Sequence, residues 1–151
     1  MDNVSRSHGV VRTGAGATAM DQDMTIIYKV TSADTDGAWS LVEYTLPPYA
    51  QGTPLHWHRK TDEAIYVLDG LLALTIDDHT MTASPGTVIT IPAGARHAFF
   101  NPTATPIRLL LWFCPGGSEG YWMHPGQSAE HMAALGATYD LYLPDGAIGD
   151  E

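Results

Sequence analysis

The chain predicts an all-β barrel closed by a short C-terminal helix. Three observations carry that prediction. From Met24 onward, short runs rich in Val, Ile, Thr, Tyr, Phe and Leu recur along the chain. Between them stand Gly, Pro, Asp and Asn, each able to turn a chain for its own reason: Gly permits positive φ, Pro fixes φ, and Asp or Asn bonds its own backbone. And between Gly52 and Asn101, three histidines and one glutamate fall at strand-compatible spacings, with glycines and a proline where turns belong. Many short strands with closely spaced turns make a sandwich or barrel.

Taken in order, residues 1–22 are rich in Gly, Ala, Ser and Thr and have no periodicity. They read as a lead-in that is flexible or ordered by a partner. The expected strands are Thr25–Val30, Ala38–Thr45, His56–His58, Glu63–Leu68, Leu71–Ile76, Thr80–Ala83, Thr87–Ile91, His97–Asn101 and Ile107–Phe113. The turns fall at Asp34–Gly37, Pro47-Pro48, Asp69-Gly70, Asp77-Asp78, Ser84–Gly86, Ala93-Gly94 and Asn101-Pro102. Asp69-Gly70 is a hairpin signal. Ser128–Leu135 is Ala- and Met-rich, with Ser128 placed to cap a helix and Gly136 placed to end it. The division expected is 1–22 as lead-in, 23–126 as barrel, and 127–151 as helix and tail.

Composition narrows the function classes. At 151 residues the chain builds one core. Lys and Arg number 7 against 17 Asp and Glu, a net charge of −10. That balance provides no phosphate-backbone footprint, so nucleic acid is not expected as a partner, and neither is an anionic membrane surface. The apolar runs have strand length, so a transmembrane helix is not expected. Residues 1–20 lack the apolar centre of a signal peptide, which makes the cytoplasm the expected location. The single Cys114 rules out an internal disulfide. Its place at the end of an apolar run reads as a buried structural thiol.

Chemistry concentrates in one segment. Side chains alternate along a strand, so His56 and His58 point the same way. Glu63 lies an odd step beyond His58 and shares their face only if Arg59–Asp62 turns the chain and resets the phase. His97 arrives from a distant strand, aimed by the Pro92-Ala-Gly94 turn. Three imidazoles and a carboxylate suit one borderline divalent ion: Fe, Ni, Co, Mn, Cu or Zn. Such a set leaves coordination positions open to water or substrate.

These residues carry a resemblance. Gly52, His56, His58, Glu63 and Gly70 resemble the first motif of the cupin superfamily, G-x5-H-x-H-x3,4-E-x6-G. The departure is three residues between Gly52 and His56 where the pattern has five. Gly86, Pro92, Gly94, His97 and Asn101 match its second motif, G-x5-P-x-G-x2-H-x3-N, at every position. The resemblance implies a double-stranded β-helix with His56, His58, Glu63 and His97 as metal ligands and Asn101 as a structural residue holding the turn into Pro102. A looser likeness covers more of the chain. Residues 55–70, 92–101 and 113–122, with the short helix, look like single-domain quercetin-dioxygenase-like cupins. It implies that Glu63 also acts as base toward a substrate hydroxyl of a small hydroxylated aromatic or enol, with oxygen attacking the electron-rich ring. The same scaffold resembles polyketide cyclases and metal-dependent isomerases or decarboxylases that use no oxygen. A binding module without catalysis is the third reading.

Around this centre, alternation places Phe99 beside His97, and Ile65 and Val67 in phase with Glu63. They either wall a substrate pocket or fill the barrel. Trp57 and Tyr66 then face outward or toward a subunit contact. Pro115–Gly126 mixes hinge glycines with large aromatics, and Tyr121 or Trp122 could close over the mouth, so Gly117–Trp122 reads as a lid or as a static connector. His124 is either a proton-transfer aid or a loop histidine; His8, His79 and His131 read as surface residues. Glu43 is either a second carboxylate inside the barrel or an outward partner of an arginine. Thr25–Val30, with Val10-Val11 before it, reads as an open sheet edge, and the family resemblance implies a homodimer.

Overall fold

The computed structural model describes residues 9–21, 23–123 and 129–144. Ten strands make two sheets: β1 (Ala17–Asp21), β2 (Met24–Val30), β3 (Ser40–Leu46), β4 (Thr53–His56), β5 (Asp62–Asp69), β6 (Leu72–Ile76), β7 (His79–Ala83), β8 (Val88–Ile91), β9 (His97–Phe100) and β10 (Ile107–Cys114). One sheet runs β1-β2-β3-β10-β5-β8 and the other β4-β9-β6-β7, all neighbours antiparallel. Two 3-10 turns, Ser32–Thr35 and Ser118–Met123, and helix α1 (Ala129–Tyr139) complete the described chain. This is the jelly-roll barrel with a small helix that the sequence predicts. The strands expected from Thr25 to Phe113 appear with their ends shifted by a residue or two, except that the His56–His58 run stops at His56.

Alternation builds the core. On β3, Ser40, Val42, Tyr44 and Leu46 are buried while Leu41, Glu43 and Thr45 are only partly so. On β10, Ile107, Leu109, Leu111 and Phe113 are buried. Register aligns Leu109 with both Tyr44 and Val67, and Leu111 with both Val42 and Ile65. The inward rows of three strands therefore form one apolar layer facing Leu72, Leu74 and Phe99 of the second sheet. Burying such side chains contributes about 1.5–3 kcal/mol each, which is the main stabilising term of the barrel.

Five expectations change. Ala17–Asp21, read as part of the lead-in, is a strand paired with β2. Consequently Thr25–Val30 is flanked on both sides, and the edge strands of that sheet are β1 and β8. Asp69-Gly70 does not make a hairpin: β5 and β6 lie in different sheets, and the turn carries the chain between them. The hairpin forms at Asp77-Asp78, where Asp77 has φ 49°. Helix α1 runs through Gly136 to Tyr139. Gly136 instead lets the chain return closely, since a Cβ there would lie 2.2 Å from the Leu141 carbonyl oxygen. The expected Ser128 cap lies outside the described residues. Cys114 is exposed, because the alternation that buries Phe113 turns its neighbour outward.

Two of the six motif positions that carry no metal chemistry, Asn101 and Gly52, hold backbone in place. Asn101 is buried; its amide donates to the carbonyls of Pro47 (2.9 Å) and Thr105 (2.8 Å), and its oxygen accepts from the Thr103 N–H (2.9 Å). It ties down the turn at Pro102, as the resemblance implies. Gly52 has φ 65°, and a Cβ on it would lie 2.0 Å from the Phe99 carbonyl oxygen. Gly86 also has positive φ (89°) but faces open space. Gly86→Ala should therefore cost only the backbone strain, about 1 kcal/mol, and Gly52→Ala should cost about 2 kcal/mol or more beyond that. Thermal denaturation of the two variants reads the difference, and equal losses would contradict the packing at Gly52.

Candidate metal centre

Both sheets contribute to the site. His56 on β4 lies directly opposite His97 on β9. Glu63 comes from the other sheet, on β5, between Phe113 of β10 and Ile91 of β8. His58 stands between β4 and β5, in the segment where the chain crosses from one sheet to the other. That crossing is the phase reset the odd step to Glu63 requires. The turn of the second motif is fastened to the first: the Gly94 N–H donates to the His58 carbonyl at 2.7 Å, and Asp62 accepts from the Ala93 N–H at 2.9 Å.

All four side chains are buried, at 1–4% exposure. One ligand-type atom from each lies within 4.8 Å of every other. The orientation of the imidazoles is set from behind. His56 Nδ1 lies 2.7 Å from the Pro54 carbonyl, His58 Nδ1 2.7 Å from the Asp140 carbonyl, and His97 Nδ1 2.9 Å from the Ala95 carbonyl. A carbonyl only accepts, so each Nδ1 carries the hydrogen and each Nε2 of a neutral ring presents a lone pair to the centre.

Lone pairs and a carboxylate converging without a cation would repel. His97 Nε2 sits 2.9 Å from Glu63 Oε2, a contact that is attractive only when the ring is protonated. His58 Nε2 approaches the same oxygen at 3.3 Å without the alignment of a hydrogen bond and has no bonding partner. Titration follows the same logic. Burial disfavours the His56 cation and His97 beside it adds repulsion, so its pKa falls from 6.5 to about 3. Burial opposes ionisation of Glu63 too, but the imidazoles of His58 and His97 outweigh it and hold the carboxyl below the usual range. For His97, burial is likewise outweighed by the Glu63 carboxylate, and its pKa rises. A buried, orphaned Nε2 and a carboxylate held ionised are what a divalent ion would satisfy, so the donor set fits one.

The remaining site residues fall as follows. Ile65, Val67 and Phe99 are at most 1% exposed and belong to the core. Phe99 packs on Tyr44 (centroids 6.0 Å apart), Tyr44 on Trp122 (6.0 Å), and Trp122 on His56 (6.4 Å). Tyr121 is buried against Trp122. The Ser118–Met123 turn thus closes over the His56 end of the site. Glu43 points outward and pairs with Arg108 at 2.8 Å. Tyr66 is exposed, and Trp57 lies outside, stacked with Tyr142. His79 and His131 are exposed; His8 and His124 lie outside the described residues.

Three participants escaped the sequence reading. Tyr44 shares the inward face of β3, which the pattern Ser40, Val42, Tyr44, Leu46 could have revealed once Glu43 was assigned outward. Glu119, 2% exposed, anchors the closing turn by accepting from the Ser32 N–H (2.6 Å), the Ser40 hydroxyl (2.7 Å) and the Gly117 N–H (2.7 Å). Asp140 reaches His58 from far along the chain, and no local pattern signals that.

Comparison with known proteins agrees with this geometry. Residues 42–114 match the Cupin_2 cupin-domain model. The polyketide cyclase RemF from Streptomyces resistomycificus superposes with a TM-score of 0.61 at 26% identity, over 72% of this chain and 79% of that one. A predicted oxalate decarboxylase from Thermotoga maritima gives 0.65 at 19% identity, over 71% of this chain and 99% of that one, which speaks for the fold alone. Quercetin 2,3-dioxygenase of Bacillus subtilis is 46% identical over 46 residues, a match that takes in 30% of this chain and 14% of that enzyme. Fold, site and matching segment agree on a cupin domain over residues 42–114, with a buried His/Glu cluster able to hold a metal.

A pH dependence follows for the metal-free protein. The unfolded chain takes a proton on His56 near 6.5, whereas the folded chain resists it until about 3. The unfolded state binds more protons in that window, so acidification from 6.5 toward 3 removes stability. Glu63, with a depressed folded pKa, adds to the loss below 4.5. His97 has a raised folded pKa, so its stabilisation is full below 6.5 and is lost as pH rises through the folded value. Denaturation midpoints of chelator-treated protein should fall as pH drops below 6.5, and less steeply in His56→Gln.

Proposed function

We propose that the protein is a metal-dependent enzyme acting on a small hydroxylated aromatic or enol, and that its reaction is a dioxygenation. The observation that carries the proposal is the convergence of three Nδ1-tethered imidazoles and an ionised Glu63 at one buried point. His56, His58, Glu63 and His97 would hold one ion of Fe, Ni, Co, Mn, Cu or Zn. When bound, that ion supplies Lewis acidity and a net charge near +1 with one carboxylate, which favours an enolate or phenolate oxygen.

Glu63 is the proton acceptor. Its Oε2 is turned to His58 and His97, which leaves Oε1 for the substrate hydroxyl. A carboxyl held low in pKa is a weak base. It takes a proton only from a hydroxyl that is itself acidic, and enols and phenols beside a cation qualify where aliphatic alcohols do not. Trp122 and Tyr121 cover the site, and the three hydrogen bonds of Glu119 hold the Ser118–Met123 turn over it as a fixed cover that shields the reacting ring from water.

The segment 46% identical to quercetin 2,3-dioxygenase supports oxygen chemistry. The longer likeness to RemF favours the second reading, cyclisation or isomerisation without oxygen, on the same ligands. Oxygen uptake with flavonols and catechol-like enols separates the two. Glu63→Gln should lower turnover by about 10²–10⁴-fold in either case. Unchanged turnover in that variant, or in His56→Ala, would sink the enzymatic proposal.

We also infer a homodimer. Trp39, Leu41, Tyr66, Val88, Leu110 and Trp112 surround an uncharged hollow of about 430 Å³ on the outer face of the six-stranded sheet. Tyr66, Val88 and Trp112 are 41–56% exposed there. Two copies each carrying −10 can meet with least repulsion on a face that has no charge. Trp112→Glu should yield monomers by light scattering with unchanged circular dichroism; a monomeric wild type at high concentration would refute the interface.

A further inference from the structure

Two of the three imidazoles are steadied by their own neighbourhood. His56 and His97 each donate to the carbonyl two residues earlier, at Pro54 and Ala95. His58 has no such local acceptor. Its closest Nδ1 partner is the carbonyl of Asp140 (2.7 Å), in the segment directly after α1, with the Ser118 hydroxyl farther off at 3.4 Å.

Asp140 does more than offer that carbonyl. Its carboxylate accepts from the Arg59 N–H (2.9 Å), the Lys60 N–H (2.8 Å) and the Thr61 hydroxyl (2.8 Å). One residue thus binds the whole crossing between His58 and Glu63. The backbone geometry is made for it: Asp140 has φ 55°, a left-handed conformation that ends the helix and turns both its carbonyl and its side chain to residues 58–61. On either side the strap is fastened again. Tyr139 lies against Gly120, where any Cβ would meet its ring at 2.4 Å. Leu141 is buried in the core. Tyr142 pairs with Trp57 through two backbone hydrogen bonds (3.0 and 2.9 Å), stacks on its ring, and lies under the Arg59 guanidinium.

From this geometry we propose that Asp140 is a positioning residue for the metal centre, and that residues 139–142 form a strap that fixes the ring orientation of His58. The proposal rests on the reading of His56, His58, Glu63 and His97 as ligands. Its physical basis is general: the group that receives a ligating imidazole's second N–H sets its tautomer and aim, and losing it typically costs 10–100-fold in metal affinity. Here that group is held by a carboxylate making three bonds to the turn, so removing the carboxylate loosens the carbonyl as well. The family match ends at residue 114, so the strap lies beyond it.

The test uses the full chain loaded with Co²⁺, read by titration and by the visible ligand-field spectrum. Wild type should bind one equivalent, and His97→Ala should abolish binding. Asp140→Asn, which keeps the shape but turns a donor toward the backbone N–H groups, should bind about 10–100-fold more weakly with an altered spectrum. A merely structural role would lower thermal stability while leaving the spectrum of the loaded protein unchanged. If Asp140→Asn fails to fold, Thr61→Val removes one of the three bonds to the Asp140 carboxylate (2.8 Å), together with the longer one from the Ser118 hydroxyl (3.4 Å), and should show a smaller loss and spectral change in the same direction. Wild-type affinity and spectrum in Asp140→Asn, or in Thr61→Val if that is the variant that folds, would overturn the strap while leaving the metal centre standing. Failure of wild type itself to bind, or binding undiminished in His97→Ala, would overturn the centre and the strap with it.

Discussion

Everything at the centre depends on which nitrogen each imidazole turns inward. A ring is indifferent to the choice until something takes its other N–H, and in this barrel three backbone carbonyls do so. The consequence is electrostatic. Three lone pairs and an ionised carboxylate are forced into a space that water does not reach, where charges of one kind interact strongly. Without a cation, the arrangement survives by putting a proton between His97 and Glu63. The fold thereby stores affinity for positive charge at one point, and the apolar rows of β3, β5 and β10 supply the rigidity that keeps the point from relaxing.

The way the two sheets share the ligands explains why the site is central to the fold. His56 and His97 are a cross-strand pair, so their separation is set by sheet hydrogen bonding. Glu63 sits in the facing sheet, so its distance from them is set by core packing. The Gly94-to-His58 hydrogen bond and the Ala93-to-Asp62 bond then tie the two turns together. Ligand geometry is in this sense a readout of the distance between sheets, and the stacked Phe99, Tyr44 and Trp122 are side chains that pack between them beside His56.

Much of this was legible from residues alone. Alternation in Ser40–Leu46 and Ile107–Cys114, together with glycines at turns, gives strands and their faces, because a strand's periodicity is local. His56, His58, Glu63 and His97 were legible because their spacing and their flanking Gly and Pro residues are local too. What failed had non-local causes. Asp69-Gly70 looks the same in sequence whether the chain folds back in its own sheet or crosses to the other. Gly136 reads as a helix stop, and its real reason is the return of Leu141. Cys114 reads as buried until the register with Asp62 and the inward row ending at Phe113 are known. Ala17–Asp21 has too little apolar character to announce a strand and depends on β2 to pair it. Asp140 and His58 stand 82 residues apart in the chain, and their contact leaves no trace in either segment.

The pairing of β3 with β10 has a further implication, for the order of events when the chain folds. Tyr44 meets Leu109, and His56 meets His97, across long stretches of intervening sequence. Contacts of this kind are assembled against loop entropy, which makes such barrels slow to fold. The four ligands come from both sheets, so they converge only once the sheets have closed on one another. An ion would then find its place after the rate-limiting step, when most of the barrel is already built. Its stabilisation would be felt in the escape from the native state, as slower unfolding, and hardly at all in the approach to it.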